Sequence, residues 1–225
     1  MFVNSEILKI SQMMKKASGK AFCPCSGNDL EFILSSVGIF VDRFVFCDVS
    51  YRARKVSVNK STPASWKLSS SIYSRDMMKK LKSSSYLGGR EFRPSAKLEI
   101  WQRPDAKDVL IEIRQDLAEE YLIDDCRENS ISCFVHINDS AGEGGSNLWF
   151  LAKNKDPDTP GFLEELSLRL TDYAIIVTDG ALTEKHFKQF SGFEIVGRSW
   201  KPICKLEGNK HHDREIMVWE TEKLK

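Results

Sequence analysis

Two short segments of the chain hold the residue types best suited to binding a ligand. The first, residues 23–29, follows a short apolar run and has the sequence CPCSGND, and Asp48 closes the next apolar run 21 residues after Gly27. An acid about 20 residues beyond a glycine turn is typically spaced to accept hydrogen bonds from ribose hydroxyls. The spacing of Gly27 and Asp48 therefore predicts a site for an adenosine-like ligand. The alternative is that Gly27 serves only the turn and Asp48 caps a helix or loop.

The second segment, residues 138–147, has the sequence NDSAGEGGSN. Its three glycines would allow backbone N–H groups to converge on an anion, and the carboxylates of Asp139 and Glu143 could accept a proton. The segment lacks the Gly-Lys-Ser/Thr ending of a P-loop, which argues against a Walker-type phosphate site. Asp139 and Glu143 are the candidate catalytic residues, and a turn without a ligand is the alternative.

The basic residues of the chain are concentrated in one stretch. Residues 52–93 hold eleven Lys or Arg against two Asp or Glu, a net charge of +9, and because the whole chain carries +1 the remainder carries −8. Aromatic residues lie among these cations, a mixture that suits phosphates and stacked bases. Lys79, Lys80 and Lys82 are the candidate anion-binding residues, and a solvated linker is the alternative.

Strand and helix patterns alternate along the chain and would position these segments. Residues 20–51 have the pattern of a strand, a helix and a second strand. Continuous apolar runs predict parallel, doubly buried strands near 20–25, 44–48, 132–138 and 173–178, with an antiparallel hairpin of 193–200 and 214–221 at one edge. Residues 98–103 and 108–115 have the pattern of two strands joined by a turn, with a helix after them. Residues 52–94 show no periodicity, apart from one short helix near 74–82.

Composition limits the broad class of the protein. The 225 residues are 41% hydrophobic and 29% charged, which is ordinary for one globular domain, 1–225, with a basic Ser-rich excursion at about 52–94. The opening residues lack the pattern of a signal peptide, and no run approaches the ~18 apolar residues of a membrane helix. The six cysteines are scattered without zinc-like spacing, which favours buried thiols and no metal site. We expect a cytoplasmic protein without a membrane span.

These features resemble the class I S-adenosylmethionine-dependent methyltransferase superfamily over about residues 20–51 and 131–221. Residues 23–29 stand where that family has acid-x-Gly-x-Gly-x-Gly, and of its glycines only Gly27 is kept. The resemblance implies an α/β, Rossmann-like, mostly parallel sheet with helices on both faces and a C-terminal antiparallel edge hairpin. It also implies S-adenosylmethionine as cofactor, held by Cys25, Ser26, Gly27, Asp29, Asp48, Ser50, Asn138, Gly144 and Gly145.

Three functions follow from this interpretation. The first is a methyltransferase-like enzyme that acts on an anionic small molecule or a nucleic acid. The second is a non-catalytic binding or regulatory module with the same fold, which the loss of two glycines favours. The third, a nucleotide-processing enzyme, has less support because no metal-ligand spacing accompanies its glycine loop.

Overall fold

The computed structural model describes residues 19–25, 30, 33–34, 41–48, 51, 62–74, 95–137, 162–179, 197–206 and 216–225. These ranges form one nine-stranded sheet, and beside it lie two bounded α-helices, a π-helical turn and the separate helical residues Leu30, Ile33 and Leu34. The strands are β1 (Lys20–Pro24), β2 (Arg43–Cys47), β3 (Lys67–Ser74), β4 (Ser95–Gln102), β5 (Asp108–Gln115), β6 (Ile131–His136), β7 (Leu170–Asp179), β8 (Arg198–Leu206) and β9 (Ile216–Lys223). The helices are α1 (Ala118–Glu120), which continues into the π turn Tyr121–Asp125, and α2 (Phe162–Arg169).

The centre of the sheet is parallel. The full strand order is β3-β4-β5-β2-β1-β6-β7-β9-β8, and the five strands from β5 to β7 all run in the same direction. Counted along the chain, those five lie in the order third, second, first, fourth, fifth, which is the Rossmann order with its reversal between β1 and β6. The predicted parallel pairing of β1, β2, β6 and β7 is confirmed.

A hairpin completes one side of the sheet. β8 and β9 pair antiparallel, as the sequence predicts, and β9 also pairs antiparallel with β7. β9, the last strand in the sequence, therefore lies between β7 and β8, and β8 forms the outer edge of the sheet. Pro202 lies in this edge strand, where a residue without an N–H is tolerated.

The opposite side of the sheet contains a strand that the sequence analysis did not predict. β3 lies within the basic segment and pairs antiparallel with β4, which pairs antiparallel with β5. Because β3 is an edge strand whose residues are mostly exposed, it carries no apolar alternation that a sequence pattern would show. Ser74 ends β3, and the rest of the helix predicted near 74–82 lies outside the described residues.

Both faces of the sheet are buried, because alternate residues of the central strands enter two separate apolar clusters. On β2, Phe44 and Phe46 belong to the first cluster, and Val45 belongs to the second. Helical residues cover each side. The first cluster includes Leu30, Ile33 and Leu34, and the second includes Tyr121, Leu122 and Leu166. Burying one such large side chain contributes about 1.5–3 kcal/mol to folding.

The cysteines of the described residues are packing groups. Cys23, Cys47, Cys126 and Cys133 are buried, and no disulfide joins any two cysteines within the described ranges. Burial raises the pKa of Cys23 and Cys47 well above its usual range and that of Cys133 to about 12. The thiols of Cys23, Cys47 and Cys133 therefore stay protonated at neutral pH, which makes them weak nucleophiles.

The described ranges contain neither a membrane-spanning helix nor a metal-binding cluster. No helix in them is long and apolar enough to cross a membrane. They also hold no group of three or more His, Cys, Asp or Glu side chains placed to share a metal ion.

Candidate ligand site at the carboxyl ends of the parallel strands

The turn after β1 lies against the end of β2. Pro24 and Cys47 are paired in the parallel ladder, and the backbone N–H of Cys25 donates a hydrogen bond to the carbonyl oxygen of Cys47 at 2.7 Å. This bond extends the contact between the two strands by one residue beyond β1. It brings the first residue of the predicted glycine-type turn next to the peptide that leads into Asp48.

Cys25 has a backbone conformation that favours glycine. Its φ angle is 50°, in the left-handed region that costs a residue with a Cβ roughly 1–2 kcal/mol. Cys25 occupies the first glycine position of the acid-x-Gly-x-Gly-x-Gly pattern, and its left-handed φ is one that glycine adopts without strain.

Asp48 comes directly after β2 and is half-buried. Its backbone N–H donates to the carbonyl oxygen of Arg114 on β5 at 3.1 Å, and its own carbonyl accepts from the N–H of Tyr51 at 3.2 Å. Tyr51 is buried in the first cluster. Neighbours on both sides therefore fix the backbone of Asp48 at the edge where ligands bind in sheets of this order.

Of the predicted site residues, the structure describes Cys25 and Asp48 and brings them together. The other predicted cofactor residues lie outside the described residues: Ser26, Gly27, Asp29, Ser50, Asn138, Gly144 and Gly145. So do the candidate catalytic residues Asp139 and Glu143 and the candidate anion-binding residues Lys79, Lys80 and Lys82. β6, which precedes the loop 138–147, lies beside β1 and ends at the same edge as β1 and β2.

A charged network that the sequence analysis missed lies beside this edge. The buried guanidinium of Arg114 donates to Glu112 at 2.7 Å and to Asp116 at 3.0 Å, and it also pairs with Asp125. The thiol of Cys47 donates to the backbone carbonyl of Asp116 at 3.4 Å, which links the network to the end of β2. The sequence held a signal for this network: Glu112 and Arg114 are two residues apart and fall on one face of β5, and Asp116 follows directly after the strand at the same spacing.

Burial and ion pairing act in opposite directions on the pKa values of this network. Burial lowers the pKa of Arg114, but the ion pair and hydrogen bond with Glu112 outweigh it and raise the pKa above its ordinary value. For Asp116 the balance is opposite, because burial raises the pKa of its carboxyl more than Arg114 lowers it. The guanidinium is thus a permanent cation held among carboxylates.

One cavity among the described residues lies mainly at the opposite, amino ends of β1 and β2 and extends along β5 to Arg114. It measures about 750 Å³ and is lined by residues that begin β1, β2 and β6, together with Arg114 and Tyr121. Asp48 and Cys25 do not line it. The cavity therefore does not include the two described cofactor candidates, although Arg114 lies next to both places: it lines the cavity, and its carbonyl oxygen accepts from the N–H of Asp48.

Comparisons with known proteins give similarity to solved structures alone. No protein-family model matches the chain, and no curated protein matches it. An rRNA methylase from Streptococcus thermophilus aligns over 100% of both chains with 11% sequence identity and a TM-score of 0.42. The antibiotic-resistance methyltransferase Kmr aligns over 98% of this chain and 94% of its own, with 13% identity and a TM-score of 0.43. A Streptococcus mutans protein solved in complex with SAH aligns over 99% of this chain and 100% of its own, with 11% identity and a TM-score of 0.41.

The described sheet is Rossmann-like. The decisive observation is the order of its five parallel strands, with the antiparallel pair β8 and β9 added at one side. The hairpin was part of the resemblance in the sequence, whereas the order of the parallel strands comes from the structure. The assignment of a Rossmann-like fold therefore depends on the strand order of this chain itself.

Proposed function

We propose that this chain binds S-adenosylmethionine at the carboxyl ends of β1 and β2 and acts as a methyltransferase. The observation that carries the proposal is the contact of Cys25 with Cys47, which sets the turn after β1 next to Asp48. Strand order reverses beside β1, and ligands of Rossmann-like sheets bind at such a reversal. The acid at the end of the second strand is the group that holds a ribose in sheets of this kind.

The described residues fit the adenosine part of that cofactor. Asp48 supplies a half-buried carboxylate for two ribose hydroxyls, and Cys25 begins the turn that follows β1. In this proposal Cys25, Ser26, Gly27 and Asp29 contact the ligand from the turn, and Ser50, Asn138, Gly144 and Gly145 approach it from the neighbouring loops. When bound, the cofactor supplies an electrophilic methyl group.

The chain's own residues would position the methyl acceptor and take up its proton. Methyl transfer needs an in-line approach of donor and nucleophile together with one group that accepts the proton lost by the nucleophile. We assign proton acceptance to Asp139 or Glu143, because their loop follows β6 beside β1. We assign recognition of an anionic or nucleic-acid substrate to Lys79, Lys80 and Lys82, which follow the edge strand β3.

A non-catalytic binding module is the second candidate, and one observation favours it. Cys25 carries a Cβ and a thiol at a left-handed position where the family has glycine. A side chain there limits how closely the ligand can approach the backbone. A chain that binds S-adenosylhomocysteine and S-adenosylmethionine equally well, and transfers no methyl group to any acceptor, would have this second function.

Calorimetric titration with S-adenosylmethionine tests the proposal. Asp48→Ala removes a charge-assisted hydrogen bond worth about 1.5–3 kcal/mol, so we expect binding to weaken roughly ten- to hundredfold. The matched control is Asp42→Ala, because Asp42 is exposed just before the other end of the same strand, β2. Equal affinities of the wild type and Asp48→Ala would refute the ribose assignment. Failure of the wild type to bind any S-adenosyl compound would refute the cofactor.

A further inference from the structure

The cavity at the opposite end of the strands has the size of a ligand site. Its volume of about 750 Å³ lies within the ~300–1,000 Å³ of small-molecule pockets. Close packing builds one wall: a Cβ added to Gly19 would lie 2.7 Å from the carbonyl oxygen of Ser130, and the N–H of Lys20 donates to the same oxygen at 3.0 Å. The start of β1 is therefore held against the segment that enters β6.

Lys20 and Tyr121 are joined by a hydrogen bond in this cavity, in which the ammonium donates to the hydroxyl oxygen and the hydroxyl proton is left to donate elsewhere. The Nζ atom of Lys20 lies 2.6 Å from the Tyr121 hydroxyl and 5.0 Å from the centroid of its ring. Burial raises the pKa of the Tyr121 phenol, and the nearby Cys126 and Glu112 raise it further, so the hydroxyl keeps its proton. Within the described ranges, no carboxylate lies at ion-pair distance from the Lys20 ammonium.

Both basic and acidic side chains line the cavity. Lys20, Arg43 and Arg127 line it without an ion pair to any described residue. Asp42 is a carboxylate in the same lining and offsets part of their positive charge. The other two lining carboxylates, Glu112 and Asp125, share the guanidinium of Arg114 with Asp116. Three carboxylates on one guanidinium leave unused acceptor capacity. The cavity thus offers donors for an anion beside acceptors for hydroxyl groups.

The main-chain geometry next to the cavity supports a built site. The π turn Tyr121–Asp125 contributes both Tyr121 and Asp125 to the lining, and π turns are frequent at functional sites. Arg169 donates to the carbonyl oxygens of Leu122 and Ile123 at 2.9 and 3.4 Å, which satisfies groups that such a turn leaves unpaired. A buried side chain on α2 therefore holds the turn in place.

We propose that this cavity binds a small phosphate-bearing molecule that also carries hydroxyl groups, such as a sugar phosphate. The phosphate oxygens accept from Lys20 and Tyr121 and lie near Arg43 and Arg127. The hydroxyl groups donate to Glu112 and Asp125. This site is separate from the S-adenosylmethionine site proposed at the other end of the strands and does not depend on it.

Titration with ribose 5-phosphate and with inorganic pyrophosphate tests the proposal. Pyrophosphate contains neither the adenine nor the ribose that the Asp48 site would bind, so its titration reports on this cavity alone. We expect the wild type to bind ribose 5-phosphate, Lys20→Met to bind it at least tenfold more weakly, and Tyr121→Phe to bind it severalfold more weakly.

The control variant is Lys201→Met, which removes the same charge from an exposed lysine on β8. Circular dichroism of each variant shows whether it is folded, and Lys20→Arg, which keeps the charge, should retain most of the affinity. Equal affinities of Lys20→Met and Lys201→Met would overturn the proposal. So would a wild type that binds neither ribose 5-phosphate nor pyrophosphate.

Discussion

Arg198, at the start of β8, donates a hydrogen bond of 2.6 Å to the backbone carbonyl of Thr171 on β7. Between these two strands lies β9, whose Thr221 hydroxyl accepts from Nε of the same guanidinium at 3.2 Å. The carbonyl of Asp172 accepts a further bond at 3.2 Å. One almost fully buried side chain therefore joins three strands.

Arg198→Met should loosen the hairpin, because it leaves buried carbonyl groups without their donor. A buried acceptor that loses its donor costs about 1–3 kcal/mol, so with three acceptors affected we expect the free energy of unfolding to fall by at least about 3 kcal/mol. Urea denaturation measures the loss. The control is Lys201→Met, whose exposed pair with Glu220 should be worth under about 1 kcal/mol. Equal losses in the two variants would contradict this role of Arg198.

Cys25→Gly should stabilise the protein, because glycine adopts a φ of 50° without strain. Relief of about 1–2 kcal/mol of strain, less about 0.5–1 kcal/mol for the greater freedom of glycine in the unfolded chain, leaves a gain of roughly 0.5–1 kcal/mol. Cys25→Ala removes the thiol but keeps the Cβ, so it should show no such gain. Thermal unfolding of both variants compares them, and a lower melting temperature for glycine than for alanine would disprove the strain.

Cys133 should make the protein sensitive to alkaline pH. Burial raises the pKa of its thiol to about 12 in the folded state, whereas in the unfolded chain the thiol has the ordinary cysteine pKa of 9.0. A group with a raised folded pKa contributes stability that is complete below the unfolded pKa and is lost as pH rises towards the folded value. Between pH 9 and 12 this one thiol should lower the free energy of unfolding by about 1.4 kcal/mol per pH unit.

Chemical denaturation as a function of pH separates this effect from packing. Cys133→Ala and Val135→Ala both remove buried atoms from the same face of β6, so both should destabilise the protein at pH 7. Only Cys133→Ala should reduce the slope above pH 9. Identical slopes in the two variants would show that the thiol is not the titrating group.

The basic segment should bind nucleic acid in a salt-dependent way if it serves a substrate. Contacts between Lys79, Lys80 and Lys82 and phosphates release counterions, so affinity should fall steeply as salt concentration rises. Changing the three lysines to glutamine should weaken binding and flatten the salt dependence. Filter binding at low and high salt measures both. The control changes Lys201, Lys223 and Lys225 to glutamine, and equal loss in the two triple variants would leave the segment only a solvated surface.

The strands that the sequence predicts well are those buried on both faces. The runs around Val45, Phe134 and Ile176 are continuously apolar, and the structure shows all three residues buried in one cluster. The edge strand β3 escaped prediction because exposed Leu68 and Ile72 and the serines between them give it no periodic burial. Its stabilising partner, β4, is remote in the sequence, and only the folded sheet reveals it.

The candidate site divides in the same way. The spacing between Gly27 and Asp48 can be read locally, and the structure places Asp48 at the strand end that the spacing implies. The cavity near Lys20 depends on Tyr121, which lies 101 residues away. No local sequence pattern predicts a contact of that kind, because it forms only when the π turn packs against β1 in the folded sheet.

The position of β9 between β7 and β8 has a consequence for synthesis. A nascent chain that has emerged only as far as β8 can pair its parallel strands, but β8 has no place in the sheet until β9 has been made. Until then the edge of β7 exposes unpaired N–H and C=O groups that can pair with other chains. Ribosome pausing between residues 206 and 216 should therefore prolong the period in which the chain is prone to aggregate.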